Sequence, residues 1–173
     1  MQLQFAIPPT TLNEDDFISS FADIYEHSSW VAETIWAQGI SDDDTDINHF
    51  AGRMRRLVDA AGQDRQMALL RAHPELAGRL AVAGGLTEMS TCEQASAGLD
   101  QCTPHEFERF QALNSDYGSK FGHPFIIAVR GLKRADILAA FERRVTNDKA
   151  AEFAAALAEV HKIAELRLSQ LAR

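Results

Sequence analysis

The sequence contains two groups of polar residues whose types could carry acid–base chemistry. One is the pair His73-Pro74, and the other is Ser90, Glu93 and Gln94, which are spaced by three and four residues. On a helix, the three side chains of the second group would share one face and could hold a polar heterocycle. An imidazole has an unperturbed pKa of about 6.5, and a nearby carboxylate favours its charged form. His73 and Glu93 could therefore transfer protons, although the same spacing is typical of a solvated helix face.

Three further residues are candidates with a structural alternative. His123 also precedes a proline, so position alone does not choose between it and His73. His161 lies at the edge of the apolar stripe of the last predicted helix, and we expect it to pack at the rim of the core. Arg167 lies inside that stripe, where an unpaired guanidinium would be very costly. We expect its partner to be either a carboxylate from a neighbouring helix or an anionic ligand.

Helical periodicity dominates the sequence and predicts the elements that would position these residues. Proline disfavours helical geometry at the residue before it, so His73 should lie where a helix ends. Another helix should begin at Thr87 or Ser90 and carry Glu93. The other predicted helices cover roughly residues 14–25, 30–36, 47–61, 64–72, 104–117, 137–145 and 148–170. Asn13 is expected to cap the first of these. A capping box of Thr103 and Glu106 should begin the helix at residue 104, which should end at Gly118. The predicted fold class is all-α.

One apolar run departs from the helical pattern. By itself it is typical of a short buried strand, but no partner strand is evident, so we predict an extended segment near residues 122–131. Its amides would need partners, which could be a ligand, side chains or water. The run consists of Phe125, Ile126, Ile127, Ala128 and Val129.

Two clusters of possible metal ligands are interpreted as structural. The acidic residues Asp42, Asp43, Asp44 and Asp46 predict a solvated loop and helix cap, because the full pattern of a calcium-binding loop is missing. Cys102-x-x-His105 has the spacing of half a zinc site, but no second pair matches it and a closed site needs four ligands. We therefore predict no metal site.

The composition bounds the class of protein. The 173 residues suit one domain, 1–173, and the 17 basic against 25 acidic side chains give a net charge of −8. That charge disfavours nucleic acid and anionic lipid as partners. The two cysteines are expected to be free thiols of a reducing compartment. No secretory signal and no apolar stretch of ~20 residues is evident, so we expect a cytoplasmic protein without a membrane partner.

Five segments together resemble the family of 2-oxo-4-hydroxy-4-carboxy-5-ureidoimidazoline (OHCU) decarboxylases, which act last in the conversion of urate to allantoin. The segments follow the family's order and approximate spacing, and Glu75 stands where many members have aspartate. They are Glu26-His27-Ser28-Ser29-Trp30-Val31-Ala32-Glu33, His73-Pro74-Glu75-Leu76, Ser90-x-x-Glu93-Gln94, Gly122-His123-Pro124-Phe125-Ile126-Ile127-Ala128-Val129-Arg130-Gly131 and Ile163-Ala164-x-Leu166-Arg167-Leu168.

The resemblance implies an all-α fold, usually a homodimer, that works without metal or organic cofactor on a small anionic ureidoimidazoline. It implies His73 as the catalytic histidine, Glu93 as the carboxylate acting beside it, and Arg167 as an arginine of the substrate site. The extended segment would line the pocket through its backbone. The substrate-binding positions would be Pro74, Ser90, Glu93, Gln94, Phe125, Ile126, Ile127, Ala128, Val129 and Arg167.

The implied reaction suits these residue types. Loss of CO2 leaves electrons that the substrate can accept as an enolate, and amides of the extended segment could stabilise the oxyanion, each by ~10²–10³ in rate. His73 could protonate the intermediate from one face and so fix the product as (S)-allantoin. Alternatively, His73 and Glu93 could first remove a proton from the substrate's hydroxyl group, and the sequence does not separate these two roles.

Two other classes of function stay open at this point. One is a metal-dependent hydrolase on a helical bundle that uses His73, His123 or His161 with Glu93. The sequence contains no Glu-x-x-His or His-x-x-x-His pair, which such sites often use. The other is a non-catalytic interaction module, in which Arg167 and the polar group around Glu93 would lie on packed or solvated faces.

Overall fold

The computed structural model describes residues 3–77 and 88–172, which form eight α-helices and short 3-10 turns. The all-α prediction is confirmed. Thr87, one of the two predicted helix starts, lies outside the described residues. None of the described helices is long and apolar enough to cross a membrane. The helices are α1 (Glu14–Phe21), α2 (Trp30–Ala37), α3 (Ile47–Asp59), α4 (Gln63–Ala72), α5 (Glu88–Ser96), α6 (Pro104–Phe121), α7 (Arg134–Arg144) and α8 (Lys149–Gln170).

The chain divides into two compact units. Unit 1 comprises Met1–Ala72 with His161–Arg173, and unit 2 comprises His73–Val160. Helices α1 to α4 and the C-terminal part of α8 belong to unit 1, while α5 to α7 and the N-terminal part of α8 belong to unit 2. His73 and Glu93 therefore lie in unit 2, whereas Arg167 lies in unit 1. The assignment of residues 1–173 to a single domain stays a prediction.

The core of unit 1 is rich in phenylalanine. Phe5, Phe17, Phe21 and Phe50 are buried, and the Phe21 and Phe50 ring centroids lie 4.9 Å apart. Complete burial of each such side chain contributes roughly 1.5–3 kcal/mol. Helix α1 begins where predicted, because the Asn13 side chain accepts a hydrogen bond from the Asp16 amide. The apolar stripe of α3 is buried against this core, as its periodicity indicates.

The acidic loop before α3 corrects one prediction. Asp46 does cap α3, since its side chain accepts a hydrogen bond from the His49 amide at 2.9 Å. Asp44, however, is completely buried rather than solvated, and its Oδ2 accepts a hydrogen bond from Arg53 Nη1 at 2.6 Å. The loop prediction missed this burial because Arg53 follows nine residues later, in the second turn of α3.

The core of unit 2 is one apolar cluster formed by α6, α7, the loop after His73 and the extended segment. Leu76 and Ala77 from the loop after His73 share this cluster with Phe125 and Val129 from the extended segment. Helix α6 begins at the predicted capping box of Thr103 and Glu106. Its predicted end at Gly118 is wrong: the helix continues to Phe121 and stops at Gly122, whose φ of 76° is the left-handed geometry of a helix C-cap.

Candidate active site

His73 lies immediately after α4, where the following proline predicts that the helix must end. Helix α4 stops at Ala72, and His73 is partly buried while Pro74 is buried. His73 also has interaction partners of its own. Partial burial limits the access of water to this residue without removing it from solvent.

Helix α5 presents its polar group to the interior of unit 2. Ser90 and Gln94 are buried and Glu93 is partly buried, so the interpretation of this face as a fully solvated surface is wrong. Ser90 and Glu93 both have interaction partners. The helix therefore brings a carboxylate and a hydroxyl group into the same unit as His73, in an environment with limited access to water.

Gln94 joins α5 to the loop that follows His73. Its Oε1 accepts a hydrogen bond from the Ala77 amide at 3.1 Å, and its Nε2 donates to the Glu75 carbonyl at 3.4 Å. One side-chain amide thus binds two backbone groups of the same loop. Because Glu93 precedes Gln94 directly, this contact ties the segment that carries His73 to the helix that carries Glu93. The predicted role of Gln94 in binding substrate stays a prediction, and its observed partner is the loop.

Helix α6 binds the same loop from another direction. Gln111 Nε2 donates to the Ala77 carbonyl at 2.9 Å, and Asn114 Nδ2 donates to the Leu76 carbonyl at 3.0 Å. Neither residue was identified from the sequence. Their spacing of three places them on one helix face, but the apolar residues around them gave no sign that this face meets the His73 loop.

The apolar run of residues 125–129, which is the predicted extended segment, lies outside every described helix and strand. Phe125, Ile126, Ala128 and Val129 are buried, and Ile127 is partly buried. Side chains satisfy part of its backbone: the Ala128 amide donates to Glu159 Oε2 at 2.8 Å, and the Ile126 carbonyl accepts from Arg144 Nη1 at 2.7 Å. One of the amides predicted to meet a ligand is therefore bound by a carboxylate in this structure.

A buried ion pair contacts this segment at Ile126 and Phe125. This pair was not identified from the sequence. Arg144 donates two hydrogen bonds to Glu152 Oε1, at 2.9 and 2.6 Å, and its guanidinium lies 4.5 Å from the centre of the Phe125 ring. Tyr117 donates to the same Glu152 oxygen, and Asn147 donates to Oε2 at 2.8 Å. Burial, reinforced by Glu152, raises the pKa of Tyr117, so its hydroxyl group stays protonated as a donor. We call this set the Arg144–Glu152 network.

His123 lies in a different environment from His73. His123 is buried, its Nδ1 donates to the Pro124 carbonyl at 2.9 Å, and its ring packs edge-on against Tyr117 at a centroid distance of 5.6 Å. A ring with aromatic neighbours and one nitrogen bound by the adjacent carbonyl is poorly placed to exchange protons with a ligand. His73 is the better candidate for chemistry.

The remaining candidates lie in unit 1. His161 is buried between Tyr25, whose hydroxyl group lies 2.8 Å from Nδ1, and Asp59, whose Oδ1 lies 3.1 Å from Nε2. This confirms a packed histidine. Arg167 is buried and donates to Glu26 Oε2 at 3.0 Å and to the Asp23 carbonyl at 2.9 Å. A protein carboxylate is thus one partner of this guanidinium, as the structural alternative predicted, and its part in substrate binding stays a prediction.

Possible metal ligands do not gather in the described parts of the chain. Within residues 3–77 and 88–172, no group of three or more His, Cys, Asp or Glu side chains could hold a metal ion. His161 contacts Asp59 in unit 1, whereas His73, His123 and Glu93 belong to unit 2. The metal-dependent hydrolase alternative therefore has no supporting cluster in that part of the protein.

Comparison with known proteins shows the family of this chain. The OHCU decarboxylase family model matches residues 10–169. A Haloferax volcanii protein named 2-oxo-4-hydroxy-4-carboxy-5-ureidoimidazoline decarboxylase is 43% identical over 159 residues, or 92% of this chain and 90% of the relative. A crystal structure of (S)-allantoin synthase has a TM-score of 0.74 at 30% identity, over 95% of this chain and 54% of that one, so this chain spans about half of its length.

A second solved structure shows the same fold at lower identity. It is an OHCU decarboxylase crystallised in the presence of (S)-allantoin, with a TM-score of 0.69 and 23% identity over 88% of this chain and 96% of that one. The all-α fold, together with the family model and the named relatives, defines an enzyme of the carboxy-lyase class. The chain belongs to the OHCU decarboxylase family.

Proposed function

We propose that this protein decarboxylates 2-oxo-4-hydroxy-4-carboxy-5-ureidoimidazoline to (S)-allantoin and CO2, with His73 and Glu93 as its catalytic residues. Family membership supports the reaction. The observation that carries the assignment to these residues is the Gln94 amide, which binds the loop after His73 at Glu75 and Ala77 and so holds it to the Glu93 helix.

The reaction needs a proton delivered to one face of a planar intermediate. The bond between the carboxylate and the ring carbon that bears the hydroxyl group breaks, CO2 leaves, and its bonding electrons remain in the ring as an enol or enolate. The hydroxyl oxygen becomes the carbonyl oxygen of allantoin, and the neighbouring ring carbon gains a proton. Relative to the substrate carboxylate, one proton is consumed overall. Protonation from one side makes that carbon a single enantiomer.

In this proposal His73 is the group that moves the proton. Glu93 favours the protonated imidazole and orients it, which is the task a carboxylate performs beside a general acid. General acid catalysis of this kind contributes roughly 10²–10⁴-fold in rate. If His73 and Glu93 instead first remove the hydroxyl proton, the neutral imidazole is the active form. The acidic limb of the kcat profile distinguishes the two: kcat falls on acidification only if a base acts.

The backbone of the extended segment is the proposed oxyanion site. The Arg144–Glu152 network holds this segment at the Ile126 carbonyl, and Glu159 holds it at the Ala128 amide. A fixed backbone stabilises developing charge without having to reorganise during the reaction. Pro74 and Ser90 complete the proposed binding surface in unit 2, and Arg167 is proposed to bind the substrate carboxylate, as the family resemblance implies.

Assembly, location and cofactor use belong to the same proposal. The family resemblance supports a homodimer that needs no cofactor. The free cysteines, Cys92 and Cys102, support a reducing compartment such as the cytoplasm. Light scattering coupled to size-exclusion chromatography tests the homodimer, and full activity in the presence of a chelator supports independence from metal.

The test of the function is the chirality of the product. Freshly generated substrate decays unaided to racemic allantoin, so a working enzyme should accelerate the decay and give an excess of one enantiomer, measured by circular dichroism. Racemic allantoin formed at the unaided rate in the presence of folded protein would exclude the proposed reaction.

A further inference from the structure

We propose that Gln111 and Asn114 are positioning residues for His73, which act by holding the loop of residues 74–77 in a strained conformation. This inference rests on the proposed function, because it assumes that His73 acts on the substrate. Neither residue carries the reaction itself. Their side chains reach the backbone of Leu76 and Ala77 from α6, and the loop transmits that constraint to the imidazole.

The strain lies at Ala77, whose φ is +47°. Left-handed backbone is rare for residues that carry a Cβ atom, and it persists only where surrounding contacts enforce it. Ala77 is buried, its amide donates to Gln94 and its carbonyl accepts from Gln111. Both polar groups of this one residue are therefore bound by side chains from two different helices, which is the kind of enforcement that a strained residue requires.

Asn114 also lowers the stability of the core while it holds the loop in place. It is buried in the middle of α6, where asparagine is a poor helix former, and its Nδ2 donates to the Leu76 carbonyl. Within the described residues its Oδ1 accepts no hydrogen bond, although it is buried. A half-satisfied amide in a core is costly, and an apolar side chain would avoid that cost. What Asn114 provides is the bond to Leu76.

The loop is short and stiff enough to pass this constraint to His73. Four bonds from Gln94, Gln111 and Asn114 fix the backbone at Glu75, Leu76 and Ala77. Pro74 has a fixed φ and leaves little freedom between that fixed part and His73. Gln94 joins the same loop to α5, the helix that carries Glu93. The hydrogen bonds from α6 to Leu76 and Ala77 therefore also fix the position of the loop relative to α5. A displacement of about 1 Å in such a pair can cost ~10²-fold in rate.

The experiment replaces Gln111 by leucine, which keeps its bulk and removes the donor to Ala77. Gln111 is only partly buried, so the fold should tolerate Q111L. The matched control is Ala112→Leu, which adds the same side chain to the exposed face of α6 one residue along. We expect Q111L to lower kcat by about 10- to 100-fold with KM changed by less than about threefold, whereas A112L keeps both constants.

A second substitution distinguishes positioning from a general loss of structure. Glycine adopts positive φ without the steric cost of a Cβ atom, so Ala77→Gly favours the left-handed conformation even without the Gln111 hydrogen bond. We expect A77G added to Q111L to recover at least about threefold of the lost kcat, which corresponds to partial return of the loop. Asn114→Leu provides an independent variant with the same readout if Q111L folds poorly.

The outcomes separate this inference from the proposed function. A parent protein that yields racemic allantoin would overturn the proposed function and this inference with it. A stereospecific parent whose Q111L variant retains kcat within twofold would overturn the inference alone. A loss in Q111L that A77G leaves unrepaired would also overturn it, since the strained loop would then not be the link to His73.

Discussion

Two His-Pro steps lie in the same unit and share a dipeptide, yet the structure gives them opposite surroundings. His73-Pro74 follows the end of α4, and its histidine is only partly buried. His123-Pro124 follows the end of α6, and its histidine is buried against Tyr117 with Nδ1 bound to its own proline's carbonyl. The dipeptide fixes only where a helix stops. What packs around the ring decides whether the histidine can exchange a proton with a ligand.

The contacts below each step differ in kind as well. The loop after His73 is held at residues 75–77 by neutral side-chain amides from α5 and α6. The segment after His123 is held by the charged Arg144–Glu152 network, which binds Ile126 and supports Phe125. The first arrangement binds the loop beside the proposed catalytic histidine, and the second binds the extended segment.

The largest expected effect separates the two histidines directly. Replacing His73 by asparagine should lower kcat by ~10²–10⁴-fold, because it removes the proposed proton-transferring group, while the thermal midpoint stays near that of the parent. Replacing His123 by asparagine should lower the midpoint and change kcat much less. Initial rates and melting curves of the two variants provide the measurement, and the reverse order of effects would contradict the assignment.

The second prediction concerns the Arg144–Glu152 network, which holds the segment after His123-Pro124. Glu152→Gln leaves Arg144 buried without its charge partner and should destabilise the protein by about 3–5 kcal/mol in urea unfolding. The matched control is Glu142→Gln, which removes the exposed ion pair with Arg109, whose two side chains are each 49% exposed. That change should cost less than about 1 kcal/mol. Equal losses in the two variants would show that the Arg144–Glu152 network is no stronger than a surface pair.

The smallest expected effect is on stability and concerns a third histidine, His161, which is buried outside the proposed active site. Burial lowers its pKa from the usual 6.5, against the opposing influence of Asp59. The unfolded chain then binds a proton more readily than the folded protein, so the contribution to stability is intact above about pH 6.5 and declines as the pH falls toward the lowered pKa. Urea midpoints between pH 7.5 and 5 should fall less steeply in His161→Gln, and kcat should change little. Parallel slopes would contradict this account.

Helix positions were predictable because local patterns fix them. The Asn13 cap, the Thr103 capping box and the proline after His73 each act within a few residues, and all three appear as predicted. Gly118 misled the prediction of where α6 ends, because a glycine inside a helix and a glycine at its C-cap look alike until the backbone angle is known. Gly122 has the left-handed angle.

The parts of the site that could not be predicted depend on contacts between distant residues. Asn114 meets Leu76 across 38 positions, and Gln111 meets Ala77 across 34. The position of Arg144 was a weak indication of a buried ion pair, since it follows Phe141 by three residues on an apolar face of α7. Arg167 lies on a similar apolar face of α8. An arginine at such a position needs a buried partner, but the sequence alone does not say that the partner is Glu152.

The most direct test of the central claim is the stereochemistry of allantoin formed by the His73→Asn variant. We propose that this imidazole, acting with Glu93, delivers or directs the proton that makes one enantiomer. Circular dichroism of product from freshly generated substrate should show one enantiomer with the parent and racemic allantoin with the folded variant. A variant as fast and as stereospecific as the parent would contradict the account.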